Sequence, residues 1–312
     1  MSDEVIPLSA DIAASVRLGR AALLARPWIG DRGPEIADQY EAALRAGDRQ
    51  GALFRPGGSA VGIAVWQPHG PLGLSLNLLY LDPSHATPAM YARFWSGLGT
   101  IAPRIVFAPG EIPGLTEEEE TMLMTGFGFA RFGRSEMRLR DGVAIPPAEV
   151  VPPAVVRPVG PGDGAELARL HRLAYHGRFD RYLFLEDTDE EADAARMAKD
   201  LFSGRWGEFS PEGSWGIEEN GRLIAGVLCT RRGSGVLIAD VMVDPSRQGG
   251  GLGRTVLRAA LRALADAGIG PVFLNVTEGN DRAIRLYEGL GFVRSLGPSR
   301  DWYDPRLIPV RP

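Results

Sequence analysis

The chain has 312 residues, 45% of them hydrophobic and 23% charged, with a formal net charge of -5 at pH 7; the length suggests two domains of ordinary size, and the apolar content excludes wholesale disorder. The acidic balance argues against nucleic acid as the main partner. A single cysteine, Cys229, excludes an internal disulfide and a multi-cysteine metal site, so no metal is expected.

No stretch of about 18 apolar residues is present, so no membrane-spanning helix is expected. The start, M-S-D-E-V-I-P, lacks the basic-then-apolar order of a signal peptide. These features fit a reducing cytoplasm.

In chain order, the first half offers Leu79-Tyr80-Leu81-Asp82-Pro83-Ser84, then Ala86-Thr87-Pro88-Ala89-Met90-Tyr91. The acidic run Glu117-Glu118-Glu119-Glu120 and then Gly126-Phe127-Gly128-Phe129-Ala130-Arg131 follow. Trp28, Trp66 and Trp95 are assigned to its core. From Gly142 to Pro158 the sequence carries two Pro-Pro pairs. Proline fixes φ and lacks a donor, so this segment should be extended and semi-rigid. It divides the chain into a domain at 1–141, a linker at 142–155 and a domain at 156–312.

The second half alternates helix and strand signals. Gly164 to Tyr175 carries Leu167, Leu170, Leu173 and Ala174 at a helical period. Ser214–Glu218, Leu223–Cys229 and Val236–Val243 read as strands, the first two joined by the tight turn Glu219-Asn220-Gly221. Arg254–Ala267 reads as a helix, Pro271–Val276 as a strand, Asp281–Leu290 as a helix, and a final strand pair begins at Phe292. The fold class is α/β of the α+β kind, a mixed sheet with helices packed on it.

The halves repeat each other. Leu79–Ser84 resembles Val241-Met242-Val243-Asp244-Pro245-Ser246, and Gly126–Arg131 resembles Gly289-Leu290-Gly291-Phe292-Val293-Arg294. Both matches fall at nearly one offset, which reads as one fold used twice.

The strongest local signal is Gln248-Gly249-Gly250-Gly251-Leu252-Gly253-Arg254, between a strand and a helix. Glycines let backbone N–H groups turn toward one point, and a helix N-terminus adds positive potential. The result is an anion cradle suited to a pyrophosphate, or a glycine-rich turn with no ligand. No Lys follows as in a P-loop, and the G-x-G-x-x-G phase is missing.

At these residues the sequence resembles the GNAT N-acetyltransferase superfamily, well over about 156–305 and in degenerate form over 40–140. The family's acyl-CoA loop, [RQ]-x-x-G-x-[GA], matches Gln248, Gly251 and Gly253. Its second motif, N-x-x-A-x-x-L-Y followed by G-F, matches Asn280, Ala283, Leu286, Tyr287, Gly291 and Phe292. The resemblance implies two GNAT-like domains, each a mixed, mostly antiparallel twisted sheet flanked by helices. It also implies acetyl-CoA as cosubstrate and a primary amine of a small molecule or peptide as acceptor, in a monomer or homodimer. The amides from Gly249 to Arg254 would hold the coenzyme A pyrophosphate. The pantetheine arm would pair with Val241-Met242-Val243 as an added strand does. Asn280 would bond the pantetheine, cap the following helix, or both.

Tyr287 resembles the family's general acid, a phenol able to protonate the leaving thiolate; its other reading is an aromatic packed in the core. The base is open. The positions used by relatives are Asn275 and Leu237 here, so the candidates are Asp240, then Glu278, His171, His176, Asp180, Glu186, Asp187, or a water chain. The N-terminal copy has no glycines at Ala86–Tyr91, Pro88 removes an N–H there, and Met124 stands where the other copy has Tyr287. Its Glu117–Glu120 run would repel an anion, or is simply a helix's first turn.

Two functions follow. One is an acyl-CoA-dependent N-acyltransferase, resembling tandem enzymes of the mycothiol synthase kind. The other is a non-catalytic acyl-CoA-binding or interaction module. The acceptor would meet the long Gly177–Gly213 segment, which carries Arg178, Phe179, Arg181, Tyr182, Phe184 and Trp206 among acidic residues.

Overall fold

A computed structural model describes residues 4–26, 33–102, 104–295 and 299–312. Trp28, assigned above to the core, lies outside them. The chain forms two compact units. The first comprises residues 1–132 and 300–311, the second residues 133–299 and 312. The proline-rich segment lies inside the second unit, where Val143 packs against Gly291 and Ile145, Val150 and Ala154 rest on the core.

The N-terminal unit runs β1 (Val5–Pro7), α1 (Ile12–Leu24), α2 (Gly33–Ala46), β2 (Gln50–Phe54), β3 (Gly62–His69), β4 (Gly73–Leu81), α3 (Pro88–Leu98), β5 (Ile105–Ala108), α4 (Glu117–Gly126) and the start of β6 (Ala130–Leu139). The C-terminal unit takes the rest of β6, then β7 (Val155–Pro158), α5 (Gly164–Tyr175), α6 (Phe179–Leu183), α7 (Glu190–Phe202), β8 (Glu208–Phe209), β9 (Trp215–Glu219), β10 (Arg222–Arg232), β11 (Gly235–Val243), α8 (Leu252–Asp266), β12 (Val272–Thr277), α9 (Asp281–Glu288) and β13 (Phe292–Arg294). The last strand, β14 (Ser299–Tyr303), belongs almost wholly to the first unit.

Strand order is β1-β2-β3-β4-β5-β14 in the first unit and β6-β12-β11-β10-β9-β7 in the second. Among the described residues, each sheet has one parallel pairing, β4 with β5 and β11 with β12, at the corresponding place in the repeat. The expected final strand pair does not form. β13 pairs with β6 and β14 with β5, both antiparallel. The halves therefore exchange strands. β6, from the first half, lies beside β12; β14, from the end of the chain, lies beside β5. Trp302 on β14 is buried and donates from its indole nitrogen to Glu120 at 2.7 Å.

Local sequence explains the elements. The β9–β10 turn holds Asn220 and Gly221 at φ 51° and 75°, the left-handed pair a tight hairpin requires. In the C-terminal unit, Val256, Leu257, Ala260, Leu261 and Leu264 line one side of α8 and pack on one sheet face. Leu167 and Leu170 of α5, with Leu201 of α7, cover the other face over Leu228 and Met242. Central strand β10 is buried on both faces, hence its apolar run L-I-A-G-V-L-C. Trp66 and Trp95 lie in the core of the N-terminal unit, as expected.

Candidate active site

β11 and β12 pair only through Val236–Ile238 and Val272–Leu274, then part. A bulge lies just there: Asp240 opposes Leu228 and Ile238 opposes Cys229, so Ala239 is the extra residue. A bulge bends its strand, which opens a gap toward the end of β11. The Asp244 N–H donates to the Ile224 carbonyl at 2.9 Å. By the alternation of an antiparallel ladder, Met242 then bonds to β10 as Asp244 does, and the peptide groups of Val241 and Val243 turn to the gap. The Met242 side chain is buried under α5.

The glycine loop closes the end of this gap. Gly249 and Gly251 have φ of 90° and 79°, a region other residues enter only with strain. Gly251 caps α8 and has no side chain to occupy its first-turn N–H groups. Gly253 lets α8 approach Val243 and Leu286; a Cβ there would lie 3.4 Å from each. Gln248 ties the loop down: its amide donates to the Val243 carbonyl at 3.4 Å, and it accepts from Arg282. Arg254 reaches the Gly289 carbonyl at 3.2 Å. Asn280 caps α9, accepting from the Ala283 N–H at 3.3 Å.

Asp240 lies beside the gap, 7% exposed. Its Oδ1 accepts from the Tyr175 hydroxyl at 2.6 Å, and His171 Nε2 lies 3.9 Å from its Oδ2. Burial pushes the Asp240 carboxyl up to about 7, partly opposed by the Tyr175 hydroxyl and the Val241 N–H. Burial also pulls His171 down to about 4, so its ring is neutral at ordinary pH. Tyr287, 9% exposed, packs edge-on against Phe292. Burial, with the charges of Asp240 and Asp180, raises its hydroxyl well above the usual tyrosine range. Asp180 accepts from the Thr277 hydroxyl. The charge of Asp180 thus raises the proton affinity of Asp240, Tyr175 and Tyr287, and the charge of Asp240 raises that of both tyrosines.

The other base candidates are engaged elsewhere. Glu278 is paired with Arg294, which holds it below the usual carboxylate range. His176 is exposed and contacts Glu190 at 2.9 Å. Glu186 pairs with Arg205, and Asp187 with Arg196. Tyr175 and Thr277 were not singled out from sequence. The legible signal for Tyr175 is its spacing of four from His171 on one helix.

The N-terminal unit has the same gap with different contents. β4 and β5 pair only at Leu74 with Ile105 and Ser75 with Phe107. The Asp82 N–H donates to the Val61 carbonyl at 2.8 Å, as Asp244 does to Ile224, so the Leu81 peptide faces the gap as Val243 does. There the Leu81 N–H donates to the Tyr91 hydroxyl at 3.0 Å, and that hydroxyl donates to the Pro113 carbonyl at 2.7 Å. Helix α3 begins at Pro88, and its cap Thr87 accepts from the Met90 N–H at 3.3 Å. Met124 is fully buried. The Glu117–Glu120 run is a helix start with a Thr116/Glu119 capping box; Glu117 pairs with Arg131 and Arg300.

Among the described residues, no cluster of His, Cys, Asp or Glu could hold a metal ion, and no helix is long and apolar enough to cross a membrane. The acetyltransferase (GNAT) family model matches residues 175–292, which span the bulged strand, the loop and α9. A mycothiol acetyltransferase of Thermobispora bispora is 29% identical over 83% of this chain and 86% of its own length. In fold, the chain is similar to a GCN5-related N-acetyltransferase from Sphaerobacter thermophilus (TM-score 0.59, 18% identity, 97% of this chain and 96% of that one). It is similar also to a tandem GNAT protein from the clavulanic acid biosynthesis pathway (TM-score 0.56, 16% identity, 96% and 97%). The chain thus matches the acetyltransferase (GNAT) family model over residues 175–292, and over nearly its whole length its fold is similar to that of GNAT proteins, a tandem one among them.

Proposed function

We propose that the C-terminal unit transfers an acetyl group from acetyl-CoA to the primary amine of a small molecule, in the cytoplasm. The observation that carries this reading is the gap itself. It joins a strand edge turned outward, a helix N-terminus without a side-chain cap, a buried carboxylate and a buried phenol. A glycine cap and an open first turn suit a pyrophosphate, which the amides of Gly249, Gly250, Gly251, Leu252, Gly253 and Arg254 would hold. The Val241 carbonyl and the Val243 N–H would pair with the pantetheine amides. Gln248 and Arg254 shape the loop through their contacts with α9. Asn280 keeps its cap through Oδ1 and offers its amide NH2 to the pantetheine.

The chemistry needs one proton removed and one supplied. Asp240 takes the proton of the acceptor amine, whose nitrogen then forms the C–N bond as the C–S bond breaks. Tyr287 gives its proton to the departing sulfur. Its raised affinity for the proton keeps the hydroxyl intact until that moment. Asp240 titrates near 7, so the base forms as pH rises through about 7. The relative's name makes a mycothiol-related amine the first acceptor to try. The family model and that relative are both named for acetyl transfer, which favours the enzyme over a module that only binds.

The test follows thiol release from acetyl-CoA with a panel of amines across pH. The rate should climb with pH through about 7 in the native chain, and Asp240→Asn should remove that limb. Absence of turnover with every amine, or a limb that survives Asp240→Asn, would count against these roles.

A further inference from the structure

The two oxygens of Asp240 are not equivalent. Oδ1 accepts a short hydrogen bond from Tyr175, while Oδ2 has His171 Nε2 at 3.9 Å, beyond hydrogen-bond range. His171 and Tyr175 share one face of α5. Their rings stack with centroids 4.5 Å apart and planes at 28°. The Tyr175 phenol is therefore fixed twice, by the stack on its face and by Asp240 at its tip.

The groups that face Asp240 come from every side. His171 and Tyr175 approach from α5, Asp180 from α6, Tyr287 from α9, and the Val241 N–H from its own strand. Arg181 and Asp193 act on His171 in opposite senses. Of the groups acting on Asp240, the Tyr175 hydroxyl and the Val241 N–H favour the charged carboxylate; burial and Asp180 oppose it. Thr277 holds Asp180 in turn. Among the described residues, Tyr175 is thus the side chain that both orients Asp240 and favours its ionised form.

We propose that Tyr175 is a positioning residue of the acetyl transfer: it anchors Asp240 through Oδ1 and reserves Oδ2 as the oxygen that takes the acceptor's proton, with His171 stacked against it as the wedge that holds its ring. This rests on the reading of Asp240 as the base. The Tyr175 hydroxyl keeps its own proton throughout, as its raised proton affinity beside Asp240 requires. The amine's proton ends on Oδ2.

Two readouts on the full chain separate the possibilities. One is the titration of Asp240 itself, followed by the γ-carbon resonance of 13C-labelled aspartate and identified by its loss in Asp240→Asn. The other is the low-pH limb of the acetyl-transfer rate. Tyr175→Phe keeps the ring and the stack but removes the hydroxyl. Both midpoints should then rise together by about one pH unit, which lowers the rate below the limb by about tenfold. His171→Ala, which removes the wedge, should move both the same way by less, and it carries the test should Tyr175→Phe fail to fold. The exposed His176→Gln should move neither. A resonance midpoint unmoved in the variant tested overturns the role of Tyr175. A resonance that shifts while the rate limb stays fixed shows that Asp240 is not the base, and the proposal falls with that reading.

Discussion

The two gaps show how one fold can fill an opening in one copy and furnish it differently in the other. In both units a strand parts from its parallel neighbour and turns a peptide toward the opening, at Leu81 in one and Val243 in the other. The N-terminal unit satisfies that peptide internally. Tyr91, fully buried, takes the Leu81 N–H and passes its own proton donor to Pro113. Thr87 occupies a first-turn N–H of α3, and Pro88 deletes another. In the C-terminal unit the Val243 carbonyl accepts from Gln248, while the Val243 N–H is turned to the gap. Gly251 caps α8 without a side chain, and no aromatic from the first turn of α8 bridges to β11. The two gaps thus differ by a few side chains at the start of one helix. The proposed base and acid follow this difference: Asp240 and Tyr287 lie in the second unit, while Met124 stands at the position matching Tyr287 in the first.

The largest expected effect sharpens this contrast at the acid. Tyr287→Phe should lower kcat by roughly ten- to a thousandfold with little change in acetyl-CoA affinity, the usual scale for losing a general acid. Met124→Leu at the matching place should leave kcat unchanged. An unaltered kcat in Tyr287→Phe, measured where chemistry limits the rate, would make Tyr287 a core aromatic like its neighbour Phe292. The smallest effect lies in the other gap. Tyr91→Phe strands the Leu81 N–H and the Pro113 carbonyl, at a cost of about 1–3 kcal/mol in urea unfolding. Turnover should not change. A loss of turnover without loss of stability would show that the N-terminal gap takes part in the reaction.

Much of this was legible in the sequence, and the illegible part has a physical cause. The glycine loop and α9 are local features, set by backbone freedom and capping, so Gly251 and Asn280 could be read directly from their neighbours. Duplication was legible from the paired motifs because each encodes the same turn twice. The compact units, by contrast, divide at Phe132/Gly133 and Ser299/Arg300, while the prolines draw the eye to 142–158. Strand exchange is a matter of long-range pairing: β6 meets β12 about 140 residues away in sequence, and no local residue pattern encodes which partner a strand chooses. Tyr175 escaped notice for the same reason. Its role depends on Asp240, 65 residues away in sequence, and a tyrosine at a helix end looks the same with or without that partner. The acidic candidates in 176–190 could be ranked only once their arginine partners were visible.

The central claim is that one gap is open to acyl-CoA and the other is filled. Isothermal titration of the full chain with acetyl-CoA tests it most directly. The account predicts one site per chain. Gly251→Asp should abolish that site by placing a carboxylate at the head of α8, where an added Cβ meets no neighbour within 4 Å although φ 79° strains any side chain. Ala89→Asp in the first turn of α3 should leave it intact. Two equivalent sites per chain, or equal losses from the two substitutions, would contradict the account.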